Sequence, residues 1–122
     1  MNKTTSWKAV AVMPTLGVTD LEVMTHYYLS LGFEERWRYP DIEPVTHIGM
    51  TFGEVTLMFY LCSNSEVEKQ NIYFIMQDIA GYHQHVKDIV PKVEPLCDAD
   101  YGMRDFSIAD PWGHQLNFGE AY

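Results

Sequence analysis

The stretch YGMRDFSIADPWGHQLNFGE, residues 101–120, gathers Arg104, Asp105, Asp110, Trp112, His114, Asn117 and Glu120 in one short span. Such residues can move protons, hold a metal or bind a polar ligand. Their spacing argues against the first use. Arg104 and Asp105 are adjacent, so on a strand they point to opposite faces. Asp110-Pro111-Trp112-Gly113 spells a tight turn, with Pro111 pre-setting its φ and Gly113 tolerating unusual backbone. Asp110 and Trp112 are therefore expected at the turn and its rim. Ser107, Cys62 and Cys97 have no base and orienting partner at a recognisable spacing. There is no phosphate-cradling glycine motif, and Gly49 and Gly53 read as hairpin punctuation. Glu34-Glu35 and Asp98/Asp100 read as solvated strand ends. No catalytic residue is assigned.

The histidines do not assemble a metal site either. His83 and His85 are two apart on a predicted helix, so they point about 200° apart. His26 also lies on a predicted helix. His114 shares a face with Leu116, toward the core or the turn rim. Only His47 falls on a predicted strand able to line a cavity.

The elements that must position these groups repeat. DLEVMTHYYLSL (20–31) carries Leu21, Met24, Tyr28 and Leu31 at spacings of 3, 4 and 3. DIAGYHQHVKDI (78–89) carries Ile79, Tyr82, Val86 and Ile89 at the same spacings. Both stripes have the helical period. Each starts at an aspartate suited to an N-cap, Asp20 and Asp78. Gly32 closes the first in the C′ role, and the second stops before Pro91. A strand-like run precedes each helix: WKAVAVMPTLGV and NIYFIM. Three follow each, separated by Gly, Pro, Asp or Asn. They are GFEERWRYP, VTHIGMTF and EVTLMFYLC, then KVEPLCDAD, GMRDFSIAD and HQLNFGEAY. The order is β-α-β-β-β twice, joined by the polar segment 63–70. The modules are expected at 1–64 and 65–122, together one structural domain.

Alternation assigns faces. Leu116 and Phe118 share one face, and Gln115, Asn117 and Gly119 the other. Ile72, Phe74 and Met76 are expected under the helix, leaving Asn71, Tyr73 and Ile75 opposite. Trp37 and Tyr39 share a face. Mixed aromatic and polar side chains on the face away from the helices suit a ligand cleft.

Composition bounds the partners. The chain has 122 residues, 47% of them hydrophobic, which is one ordinary domain. No apolar run approaches the length of a membrane-spanning helix. The net charge of −9 repels phosphate backbones, so nucleic acid is a poor partner and cationic small molecules are favoured. The two cysteines, outside any CxxC pair and with no export signal, are expected as reduced thiols in a cytoplasmic protein.

The paired βαβββ plan, TLGVTDLEVMTHYYLSLGFE and YGMRDFSIADPWGHQLNFGE together resemble the vicinal oxygen chelate superfamily. That group includes glyoxalase I, extradiol dioxygenases, fosfomycin-resistance enzymes and bleomycin-resistance proteins. The resemblance implies an α+β fold, two βαβββ modules forming an incomplete mixed-sheet barrel around a cleft, and a homodimer. It also implies metal ligands on the first, fourth, fifth and eighth strands, usually His or Gln, Glu, His and Glu. The corresponding residues here are Met13, Leu57 or Phe59, Asn71 and Asn117. None is a strong ligand for a hard or borderline cation. The chain is closest in character to bleomycin-resistance proteins, which trap a cationic, heteroaromatic antibiotic between subunits without chemical change.

The expectation is a non-catalytic small-molecule binding protein with no metal or other cofactor. Its candidate ligand-binding residues are Met13, Trp37, Tyr39, His47, Phe59, Asn71, Tyr73 and Asn117. Two alternatives stay open: a metal-dependent glyoxalase- or dioxygenase-like enzyme, and a metabolite-binding or regulatory domain.

Overall fold

Two aspartates start the two helices. The Asp20 carboxylate accepts from the Val23 amide at 3.0 Å, capping α1 (Leu21–Ser30). Asp78 takes a left-handed conformation and accepts from the Gly81 amide at 3.2 Å, capping α2 (Ile79–Lys87). Gly32, at φ 101°, turns the chain so that the Phe33 amide returns to the Tyr28 carbonyl. This structure, a computed structural model, describes residues 5–122.

Around each helix stand four strands. The first sheet holds β1 (Thr15–Val18), β2 (Glu34–Tyr39), β3 (His47–Phe52) and β4 (Val55–Leu61), in the order β1-β4-β3-β2. The second holds β5 (Asn71–Ile75), β6 (Cys97–Asp98), β7 (Met103–Ala109) and β8 (Gln115–Ala121), in the order β5-β8-β7-β6. β1 pairs parallel to β4 and β5 parallel to β8, while the other pairs are antiparallel. The result is an α+β fold of two βαβββ repeats with mixed, unclosed sheets.

The helix-side faces of both sheets meet in one core. Leu21, Met24, Tyr28 and Leu31 of the first stripe are all buried. Phe33, Phe52, Phe74, Phe106 and Phe118 link the repeats, with Phe52 reaching the Tyr82 ring at 5.2 Å and Phe118 at 6.3 Å. Among the described residues no buried side-chain polar atom lacks a hydrogen bond.

Three local expectations fail. The strand-like run beginning at Trp7 forms a strand only over Thr15–Val18, and Val10 and Val12 before it are 85% and 84% exposed. Alternating apolar residues set a strand's face but cannot supply a neighbour to pair with. The sixth strand shrinks to Cys97–Asp98, because Pro91 and Pro95 remove ladder donors just before it. Ile89 is exposed rather than part of the second stripe, since α2 ends at Lys87.

Candidate functional site

Each sheet keeps one face free of helices. On the first, the register aligns Trp37, Gly49, Met58 and Thr15 in one row, and Tyr39, His47, Tyr60 and Gly17 in the next. A shallow depression of about 230 Å³ is lined by Trp37, Tyr39, His47 and Met58. The Thr46 hydroxyl and His47 Nδ1 lie 2.8 Å apart, tethering the imidazole at the rim. On the second sheet, Asn71 aligns with Gln115, Tyr73 with Asn117 and Ser107, and Ile75 with Gly119, Asp105 and Cys97.

Glycine shapes both faces. A Cβ on Gly49 would collide with the Trp37 indole, which therefore lies flat across β3. A Cβ on Gly17 would press on the Tyr60 ring at 3.2 Å and Cys62 Sγ at 2.8 Å. A Cβ on Gly119 would meet the Tyr73 ring, which crosses β8 to reach Asp105 on β7. Three aromatic rings are thus laid against backbone, each over a missing side chain. Gly53 is hairpin punctuation as expected, at φ 58°, but Gly49 is not: it sits inside β3 as the bed of an indole.

Gly49→Ala is accordingly expected to lift Trp37 off the sheet. Overpacking of this kind costs roughly 1–3 kcal/mol. A chemical melt of the variant checks it, with tryptophan emission reporting the displaced ring. An unchanged midpoint would mean that the indole has room to slide.

Asn117 is the hub of the second face. Its amide oxygen accepts from the Ser107 hydroxyl at 2.6 Å and from Gln115 Nε2 at 3.0 Å. Its nitrogen donates to Asn71 Oδ1 at 2.6 Å and to the Ile72 carbonyl at 2.9 Å. The amide is saturated, so Asn117 braces the face, and Asn71 and Gln115 keep the hydrogen-bonding capacity that points outward. Tyr73 donates to Asp105 Oδ2 at 2.8 Å, and the Tyr101 hydroxyl donates to the same oxygen. Burial first, then Asp105, holds the Tyr73 phenol well above its ordinary pKa. For Tyr101 the hydrogen bond to Asp105 leads the upward shift. Both phenols therefore remain donors at neutral pH.

The structure redistributes the candidate residues. Trp37, Tyr39 and His47 come together on the first open face, and Asn71, Tyr73 and Asn117 on the second. Phe59 is a correction. It is fully buried and packs on Tyr28 with ring centroids 4.6 Å apart, because β4 pairs with β3 in the register that turns Leu57 and Phe59 inward. Met58 and Tyr60 take the open face instead. Met13 precedes β1, is 42% exposed, and shares no strand row with the others. Sequence reasoning missed Tyr60, Tyr101 and Asp105. The signal for Tyr60 was available, since β4 alternates strictly. Tyr101 lies in a turn, and only the fold brings it to Asp105.

Asp110 is a second correction. It was expected at the rim, yet it is 5% exposed and ties the repeats together. It accepts from the Tyr28 hydroxyl at 2.7 Å and from the Trp112 and His114 amides at 2.9 Å each. Burial, with Asp110 nearby, pushes the Tyr27 phenol up to about 12, and Tyr28 shifts further in the same direction for the same causes.

A metal centre does not fit these residues. No group of three or more His, Cys, Asp or Glu is placed to hold an ion among the described residues. The open faces do carry His47, Asp105 and Cys97, but no three such ligands converge among the described residues, and the Asn117 oxygen is already occupied. A cavity of about 440 Å³ lies elsewhere, at the seam of the repeats between Phe52, Val55, Phe74 and Met76. No helix among the described residues is long and apolar enough to cross a membrane. Both cysteines are free.

No protein-family model and no curated protein matches the sequence. Solved structures do match. TioX from Micromonospora sp. ML1 is similar at TM-score 0.77 and 17% identity, over 92% of this chain and 96% of that one. A bleomycin-binding protein solved in complex with bleomycin is similar at TM-score 0.76 and 16% identity, over 93% and 100%. FosX, a fosfomycin resistance protein from Listeria monocytogenes solved with Mn(II) and sulfate, is similar at TM-score 0.71 and 15% identity, over 95% and 93%. The fold is that of the vicinal oxygen chelate superfamily.

Proposed function

We propose that this chain, carrying the vicinal oxygen chelate fold, is a non-catalytic binding protein for a flat, cationic aromatic small molecule. It works in the cytoplasm as a homodimer of the antibiotic-sequestering kind. The observation that carries the reading is the set of aromatic rings bedded on glycines. A ring held flat against a sheet offers its whole face for stacking, and it loses little entropy when a planar ligand arrives. The single chain leaves both platforms uncovered. A second copy, laying its first open face over the second open face of its partner, makes two equivalent clefts. Each cleft then has an aromatic wall and a polar wall. The net charge of −9 draws a cation toward either. The similarity to a bleomycin-binding protein is in keeping with this reading, and the donor set, unsuitable for a metal, weighs against the metal-dependent alternative.

Titration with bleomycin is expected to quench tryptophan fluorescence saturably, and Trp37→Phe to remove most of the response. Trp7 lies in the exposed leading segment and Trp112 at the turn, so Trp37 carries the signal. Absence of quenching in the wild-type protein would end the antibiotic assignment. Metal analysis of protein purified without chelators tests the enzymatic alternative. Stoichiometric nickel, zinc, manganese or iron would overturn the non-catalytic reading.

A further inference from the structure

We infer that Asp105, Tyr73 and Tyr101 form a subsite for an organic cation, such as the alkylated nitrogen of a heteroaromatic ring or a quaternary ammonium. This rests on the binding role proposed above and adds the place where the charge sits. Both phenols donate to the same carboxylate oxygen, Oδ2, which leaves Oδ1 free on the open face. No basic side chain pairs with the carboxylate among the described residues. Among the described residues Asp105 forms no ion pair, and its neighbour Arg104 projects to the other face and binds Asp98 at 2.6 Å. Across the ladder stands Cys97, a free cysteine that supplies no cation. Gly119 is the enabling residue, for a side chain there would block Tyr73 from crossing β8.

The cluster has the parts that select a soft cation over a hard one. A single exposed carboxylate binds sodium or magnesium weakly, since these ions keep their water. Two phenol faces beside it favour a weakly hydrated organic cation through the ring quadrupole. The two hydroxyl bonds fix the carboxylate, so little freedom remains to be lost on binding. The rows of the first open face that hold Trp37, Tyr39, His47 and Tyr60 contain no carboxylate, and Glu34 stands one row beyond them with Thr51 and Thr56, so for a ligand stacked on those rows the charged end lies toward the Asp105 side.

The test compares thioflavin T, an aromatic benzothiazolium cation, with its neutral N-demethylated analogue, 2-(4-dimethylaminophenyl)-6-methylbenzothiazole. Quenching of Trp37 reads binding of both. Wild-type protein is expected to prefer the cation by about tenfold, the size of a carboxylate and cation–π contact at a partly exposed site. Asp105→Asn and Asp105→Ser should each erase the preference while leaving the neutral analogue within about twofold of its wild-type affinity. Two isosteric or smaller replacements guard against one failing to fold, and melting curves verify both. Glu68→Gln removes an equal charge from an exposed position in the linker, off both open faces, and should leave the preference intact. An unchanged preference in the Asp105 variants, or an equal loss in Glu68→Gln, would overturn the subsite while leaving the platform reading standing. If neither compound quenches wild-type protein, the platform reading falls and the subsite with it.

Discussion

Asp110→Ala is expected to destabilise the protein by about 3–5 kcal/mol. The carboxylate is buried and holds three donors: the Tyr28 hydroxyl of α1, and the amides of Trp112 and His114 in the turn. Alanine leaves all three without an acceptor and opens no path for water. The effect spreads because His114 depends on the same turn. Its Nδ1 accepts from the Gln70 amide at 3.0 Å, so Nε2 carries the hydrogen and donates to the Gly17 carbonyl at 2.8 Å. One imidazole therefore joins β1, the linker and the start of β8. Asp110→Asn is expected to cost less, about 1–2 kcal/mol, since its amide oxygen still accepts the two backbone bonds. Urea denaturation of both variants checks the ranking. If Asp110→Ala melts within a degree or two of wild type, the turn is held by Pro111 and Gly113 alone.

The sequence was legible where one residue type decides one local outcome. Asp20 and Asp78 marked both helix starts, and Gly32 the first stop, because caps and left-handed turns depend on a few neighbouring atoms. Alternation also placed Asn71, Tyr73 and Asn117 on one face correctly. What failed was whatever depends on pairing between distant strands. Leu57 and Phe59, alternatives that differ by a register slip of two, share one face by alternation, and only the ladder with β3 shows that this face turns inward. Gly49 looked like a turn because a strand-interior glycine has no local signature of its own. Its meaning comes from the Trp37 ring on the neighbouring strand. Asp110 looked exposed because turns usually are, and nothing local revealed that Tyr28, 82 positions earlier, would close over it.

The same distinction bears on function. Asn117 stands where the resemblance implies a metal-binding carboxylate, and the amide there is consumed by Ser107, Gln115, Asn71 and the Ile72 carbonyl. Reverting it to Glu would not rebuild a metal site by itself. The hydrogen bond from Asn117 to Asn71 would be lost, and no histidine stands on the open rows of β5 or β8 to join the new carboxylate.

Phe118→Ala is the second large effect, expected at about 3–5 kcal/mol. Phe118 is fully buried, stacks on Phe74 at 5.0 Å and meets Phe106 at 5.4 Å within its own repeat. It also meets Phe52 of the other repeat at 6.3 Å. The segments 1–64 and 65–122, proposed as modules of one domain, therefore share this ring rather than each owning a core. Truncating it should lower the midpoint of a single transition, seen identically by far-ultraviolet dichroism and by tryptophan fluorescence. The logic is one of shared surface. A repeat of some sixty residues alone buries only about 60% of its unfolded surface and is marginal, and here each uses the other's aromatic rings as its missing wall. Two separate transitions, with only the later segment shifted by Phe118→Ala, would show instead that each repeat is stable alone and that the aromatic seam only docks them.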